Sequence, residues 1–234
     1  MLDLGARMRN LKKPNLKSKR DKMDFRNIKL AVFDFDSTLM DGETIDILAK
    51  DFGVWERVSG ITKKAMEGGL DFFESLQARV GLLSGMSENR AKEICENLPL
   101  MEGAKECVEN LKKRGIIVVC FSGGFSLATR HFSKILGLDA DFSNILHAKN
   151  GVLSGQVGGE MMFSDSKGAM LCKIQNLLGV SQTQTMAVGD GANDISMFAN
   201  SAVRVAFCAK EVLKKEANVI VEKKDLVEIL SYLK

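Results

Sequence analysis

The sequence predicts an α/β fold: a doubly wound parallel sheet covered by helices on both faces, with an all-helical stretch inserted after the first strand. Three observations predict it. Short apolar runs rich in β-branched and aromatic residues recur along the chain, as strands buried on both faces require. Helical patterns stand between them. Residues 41–99 break this alternation with about four consecutive helical patterns and no convincing strand.

The elements follow in order. Residues 1–24 are polar and basic, contain Pro14 and show no apolar period, which reads as a flexible extension. Ile28 to Phe33 is the first buried strand. Ile45, Leu48, Ala49 and Phe52 then recur at helical spacing, with Gly53 as a stop. A second helix covers Trp55 to Met66. Asp71 and Glu74 form a capping-box pattern ahead of Phe72, Leu76 and Val80. Ser87 caps a fourth helix, which Pro99 ends. Beyond residue 102 strands and helices alternate. Ala104 to Leu111 is helical, Ile116 to Phe121 is the second strand, and a helix runs on to Leu136. Asn150-Gly151 between two apolar runs is a hairpin turn. Met170 to Leu178 is helical and stops at Gly179. Thr185 to Val188 is the third buried strand, followed by strands at Val203 to Phe207 and Val219 to Val221. The expected organisation is an extension at 1–24, a sheet domain at 25–40 and 100–234, and a helical insertion at 41–99.

Charge and composition exclude several functions. The chain of 234 residues has a net charge of +3, but residues 1–24 hold eight basic and three acidic side chains. The other 210 residues carry 25 basic and 27 acidic ones, so the body is no basic nucleic-acid surface. No apolar run approaches the roughly 18 residues needed to span a bilayer, and no apolar leader core follows the basic N-terminus. Cys95, Cys107, Cys120, Cys172 and Cys208 are scattered without CxxC spacing, which fits reduced core thiols of a cytoplasmic protein. His131 and His147 leave little room for histidine-based triads or metal sites.

In a doubly wound sheet, ligands gather beyond the carboxyl ends of the strands. The first strand is followed by Asp34-Phe35-Asp36-Ser37-Thr38, the second by Ser122-Gly123-Gly124-Phe125, and the third by Gly189-Asp190-Gly191-Ala192-Asn193-Asp194. Asp34, Asp36, Asp190 and Asp194 would crowd four carboxylates at one sheet edge, which demands a cation or raised pKa values. Hard oxygen ligands favour magnesium or calcium over zinc. Ser122 and Gly123 at a strand-to-helix turn would present backbone N–H groups to an anion. Lys167 stands at an expected helix start. A cation, an anion nest and a lysine around a carboxylate describe phosphoryl transfer, with Asp34 as a nucleophile.

Taken in order, these motifs resemble the haloacid dehalogenase superfamily of phosphohydrolases, over about residues 25–234. The resemblance is closest to the branch acting on phosphoserine. It rests there on Met40 to Asp46, Ile61 to Gly68, Phe72 to Val80 with Arg79, Phe121 to Phe125, and Gly189 to Phe198. It implies a Rossmann-like sheet with a small helical-bundle cap inserted after the first strand. It also implies roles: Asp34 attacks phosphorus and ligates Mg2+; Asp36 exchanges protons with the leaving group and water, its backbone carbonyl touching the metal. Asp190 completes the metal site, and Asp194 supports metal and lysine from behind. Ser122, Gly123, Lys167 and Asn193 hold phosphate or nearby water. Glu43 and Arg79 take the ammonium and carboxylate of the substrate, while Met66 and Phe72 shield the site from water. The expected activity is magnesium-dependent hydrolysis of phosphoserine, the last step of serine biosynthesis, by a cytoplasmic monomer or homodimer. The alternatives are another small phosphomonoester, transfer to an acceptor such as homoserine, or nucleic-acid binding through the basic extension.

Overall fold

The computed structural model describes residues 27–66 and 68–233, so the basic extension 1–24 lies outside the described residues. Among them, β1 (Leu30–Asp34) is the central strand of a seven-stranded sheet. The others are β2 (Ile117–Phe125), β3 (Ala140–Lys149), β4 (Val152–Gly159), β5 (Thr185–Gly189), β6 (Val203–Phe207) and β7 (Val219–Val221). Their order is β4-β3-β2-β1-β5-β6-β7. Every pair is parallel except the β3–β4 hairpin. Strand order runs outward in both directions from β1, so the neighbouring ends of β1, β2 and β5 form the switch point where such sheets bind ligands.

β1 is buried on both faces. Ala31 and Phe33 join one apolar cluster, while Leu30 and Val32 join the other. That is the period of two of a strand with two dry faces. One cluster continues into α5 (Ala104–Lys113) and α6 (Ser126–Leu136), and the second packs on α7 (Ser166–Leu178) and α8 (Ile195–Phe198). The short α9 (Glu211–Lys214) and a 3-10 helix at Leu226–Tyr232 complete the chain.

Between β1 and α5 stand α1 (Thr44–Asp51), α2 (Trp55–Met66), α3 (Phe72–Gly81) and α4 (Glu88–Glu96). Leu48, Leu76, Val80 and Ala91 from these helices lie in the same buried cluster as Phe33 and Phe35. Asp71 forms the expected capping box, accepting from the Glu74 N–H at 2.8 Å while Glu74 accepts from the Asp71 N–H at 3.1 Å. Asn150 and Gly151 adopt φ of 55° and 78°, the left-handed pair that a two-residue hairpin needs.

Three expectations change. β2 runs on through Ser122-Gly123-Gly124 to Phe125, with a register shift against β3, so α6 begins only at Ser126. Ser122 and Gly123 therefore lie on an irregular strand end and not at a helix N-terminus. The helix expected after the last strand is a 3-10 helix, Leu226–Tyr232. Cys208 is exposed with φ of 43°, unlike buried Cys95, Cys107 and Cys120, because it sits in the turn leaving β6.

Candidate active site

Register places the three strand ends together. Asp34 lies opposite Phe121 on β2, and Phe33 lies opposite Val188 on β5. Asp34, Ser122 and Asp190 thus follow at one edge. Lys167, at the start of α7, spans two of the carboxylates, with Nζ 2.6 Å from Asp34 Oδ1 and 2.6 Å from Asp194 Oδ1. All three side chains are buried. Asp194 Oδ2 accepts the N–H groups of Asp190 and Gly191, both at 3.0 Å. One carboxylate thereby fixes both the lysine and the loop after β5. Gly189 is required beneath it, since a Cβ there would overlap the Asp194 carboxylate.

Asp34, Asp190 and Asp194 can bring one oxygen each within 4.8 Å of one another. Asp36 is not part of this cluster, which narrows the expected crowd of four. Its Oδ1 accepts from the Thr44 N–H at 2.7 Å and the Thr44 hydroxyl at 2.5 Å, and its Oδ2 accepts from the Ser122 hydroxyl at 3.3 Å. Close approach explains Gly124, where a Cβ would stand 2.6 Å from Asp36 Oδ2.

The electrostatics follow from burial. Burial, then Asp194, pushes the Asp34 carboxyl well above its ordinary range, against the pull of Lys167. Burial also raises Asp36, against the Thr44 hydrogen bonds. Asp190 is pushed up to about 6, by burial and then by Asp194. Burial opposes the charge on Lys167, but Asp194 and Asp34 together raise its pKa. Clustered carboxylates that hold their protons too tightly are what a hard divalent cation would relieve. The all-oxygen donor set fits magnesium chemistry.

Above this floor lies a cavity of about 400 Å³ lined by Asp34, Asp36, Glu43, Met66, Phe72, Arg79, Gly123, Asp190 and Asn193, among others. Glu43 Oε1 accepts from the Ser37 hydroxyl at 3.1 Å. Burial, and then Asp36, lifts the Glu43 carboxyl to about 7. Arg79 donates through Nε to the Ser75 carbonyl at 3.2 Å, and burial lowers its pKa. Phe72 approaches Gly123 so closely that a Cβ there would stand 3.0 Å from its ring. Met66, at the end of α2, reaches the cavity but is 74% exposed, so it forms a rim and not the expected seal. Ser122 and Lys167 lie beneath the floor and not in its lining.

Sequence reasoning missed several participants. Thr44 holds Asp36, and Ser37, at φ 57°, holds Glu43. A non-glycine residue at that φ, next to a reactive carboxylate, is a signal that only coordinates reveal. Asp46, Thr62 and Lys210 also line the cavity.

A buried carboxylate–lysine floor at the switch point of a parallel sheet is the arrangement of a hydrolase that works on phosphoryl groups, and residues 28–201 match the family model for haloacid dehalogenase-like hydrolases. The chain belongs to that family. Within it, the chain is 65% identical over 206 residues to the phosphoserine phosphatase of Wolinella succinogenes, covering 88% of this chain and 100% of that one. It is also similar to a solved phospho-aspartyl intermediate analogue of phosphoserine phosphatase, at 47% identity and a TM-score of 0.84, over 88% of this chain and 99% of that one. A substrate-bound phosphoserine phosphatase complex matches equally well, at 46% identity and a TM-score of 0.84, over 88% and 99%.

Proposed function

We propose that this chain hydrolyses O-phospho-L-serine to L-serine and phosphate through an aspartyl-phosphate formed on Asp34, completing serine biosynthesis. The observation that carries the reading is one cavity in which the β1 and β5 ends meet Glu43 and Arg79. Phosphoserine offers a phosphate, an ammonium and a carboxylate. Glu43 suits the ammonium, and Arg79 suits the carboxylate as a bidentate partner. The similarity to phosphoserine phosphatases supports this substrate.

The residues divide the work. An Asp34 oxygen attacks phosphorus, the new O–P bond forms, and the ester P–O bond to serine breaks. Asp36, its proton favoured by burial, gives that proton to the departing serine oxygen. Asp36 then accepts a proton from water, whose oxygen takes the phosphoryl group from Asp34 and releases phosphate. Lys167 and Ser122 support the phosphoryl oxygens, with the Gly123 N–H and Asn193. A magnesium ion held by Asp34, Asp190 and the Asp36 carbonyl would neutralise developing phosphoryl charge. Asp194 holds lysine and loop in place. Helices α1–α4 serve as the cap, with Met66 and Phe72 at its inner edge. Five unpaired cysteines suit a cytoplasmic setting.

The test is magnesium-dependent phosphate release from phosphoserine, phosphothreonine and 4-nitrophenyl phosphate. The expected result is a kcat/KM for phosphoserine at least about tenfold above the other two. Equal values for all three would overturn the substrate assignment.

A further inference from the structure

We propose that Lys210 is a further substrate-binding residue, whose ammonium contacts the phosphoryl oxygens of the bound phosphomonoester; this rests on the phosphatase reading above. Lys210 lies after β6, outside every motif that the sequence offers. It is the N-cap of α9. Its backbone N–H donates to the Asp190 carbonyl at 2.8 Å, which ties its Cα to the floor of the site. Its side chain lines the cavity with Asp34, Asp190 and Asn193 and is 58% exposed. Nζ stands 3.7 Å from Asp190 Oδ2, too far for a good hydrogen bond. The ammonium is thus held near the reacting carboxylates without being consumed by them.

Charge makes this placement useful. The described cavity lining carries five acidic residues (Asp34, Asp36, Glu43, Asp46 and Asp190) against two basic ones, Arg79 and Lys210. A phosphate dianion entering there meets repulsion. Lys167, which supports the phosphoryl oxygens from below, already shares its charge with two carboxylates. Arg79 belongs to α3 and is the natural partner of the substrate carboxylate. Lys210 is the lining cation on the sheet side, where Asp34 reacts. Lysine is a compact point charge on a flexible stem, suited to meeting a phosphate from the mouth. An exposed pair of this length is weak, so a phosphoryl oxygen readily replaces Asp190 as its partner.

Lys210→Met tests this, because it removes the charge while keeping the stem and the backbone bond to Asp190. On the full chain, calorimetry measures binding of inorganic phosphate in the presence of magnesium. Steady-state kinetics follow phosphoserine and 4-nitrophenyl phosphate, and electron paramagnetic resonance measures Mn2+ binding. Phosphate affinity should weaken about tenfold, with KM rising similarly for both substrates, kcat within about twofold and Mn2+ affinity unchanged. Lys210→Arg should restore most of the loss. Unchanged phosphate affinity would overturn the proposal. So would a KM rise confined to phosphoserine, which would assign Lys210 to the carboxylate. Tighter Mn2+ binding with unaltered phosphate binding would reduce it to a counter-ion of Asp190. If wild-type protein shows no preference for phosphoserine yet Lys210→Met still weakens phosphate, the substrate reading fails and the role of Lys210 stands.

Discussion

The strand ends and the helical segment contribute to the same cavity under different physical regimes. At the strand ends Asp34, Lys167 and Asp194 are buried and bound to one another, and Asp36 is tightly hydrogen-bonded. Lys167 has two carboxylate partners, Asp194 fixes two N–H groups and a lysine, and Asp36 is held from three sides. The helical side is loosely tied. Glu43 has one hydroxyl partner, Arg79 bonds to its own helix backbone, and Met66 is open to solvent. Reaction chemistry needs groups that cost no reorganisation as charge develops, and the strand ends supply them. Substrate selection needs groups left free to exchange partners, and α1 to α3 supply those. The expected signature is that strand-end changes act on turnover while helical-side changes act on substrate preference.

The largest expected effect probes the first half of that comparison. Asp34→Asn should lower kcat for phosphoserine by about 10⁴-fold or more, since it removes the proposed nucleophile. Phosphoserine should still bind, measured by calorimetry. Normal turnover would break the assignment of chemistry to the strand ends. Next, Arg79→Ala should lower kcat/KM for phosphoserine by about 10²-fold while leaving 4-nitrophenyl phosphate within about threefold. An equal loss on both substrates would erase the division, because Arg79 would then be serving phosphoryl transfer.

The same contrast governs how far the sequence could be read. The strand ends were legible because a rigid site uses fixed residue types at fixed distances from buried strands. Asp34, Lys167, Asp190 and Asp194 stand together as local pattern implied, while Asp36 turns to Thr44 and Ser122 instead of joining the other carboxylates. Local chemistry also marked Asp71, Ser87 and Asn150-Gly151, where a cap or a turn leaves a short-range signal. The extension of β2 through Gly123-Gly124 was hidden, since glycine pairs read as a loop. Glu43 and Arg79 carried no signal of their own in composition or period; only family resemblance singled them out. Thr44, Ser37 and Lys210 acquire roles through contacts across the fold. A lysine among five in residues 210–224 has nothing local to distinguish it.

Glu43 sharpens the comparison through pH. Its carboxyl titrates near 7 in the fold, against an ordinary 4.5, chiefly because it is buried. The folded state therefore binds this proton more tightly. That contribution to stability is fully present below about pH 4.5 and is lost as pH rises through 7, with an upper magnitude of about 3 kcal/mol. Glu43→Gln removes the titration and can still accept from Ser37. With metal chelated and no substrate, the variant should gain stability relative to wild type between pH 5 and pH 8 in urea denaturation. A difference that is flat across this range would place Glu43 in a solvated setting and weaken the picture of a poised ammonium receptor.

The smallest effect concerns one of the contacts that join the two regions. Phe73 on α3 stacks on Phe163, which precedes α7, with ring centroids 5.2 Å apart and planes 14° from parallel. Phe163 is 55% exposed, so its removal leaves little cavity behind. Its backbone N–H donates to the Ser166 hydroxyl at 3.0 Å, next to Lys167, and survives a side-chain change. Phe163→Ala loses a stacking contact worth about 0.5–1.5 kcal/mol. If that contact holds the helical side over the floor, KM for phosphoserine should rise about three- to tenfold with kcat nearly constant. 4-Nitrophenyl phosphate, which does not need Glu43 or Arg79, should change less. A fall in kcat on both substrates would mean that the stack positions Lys167, and the two regions would then be mechanically one.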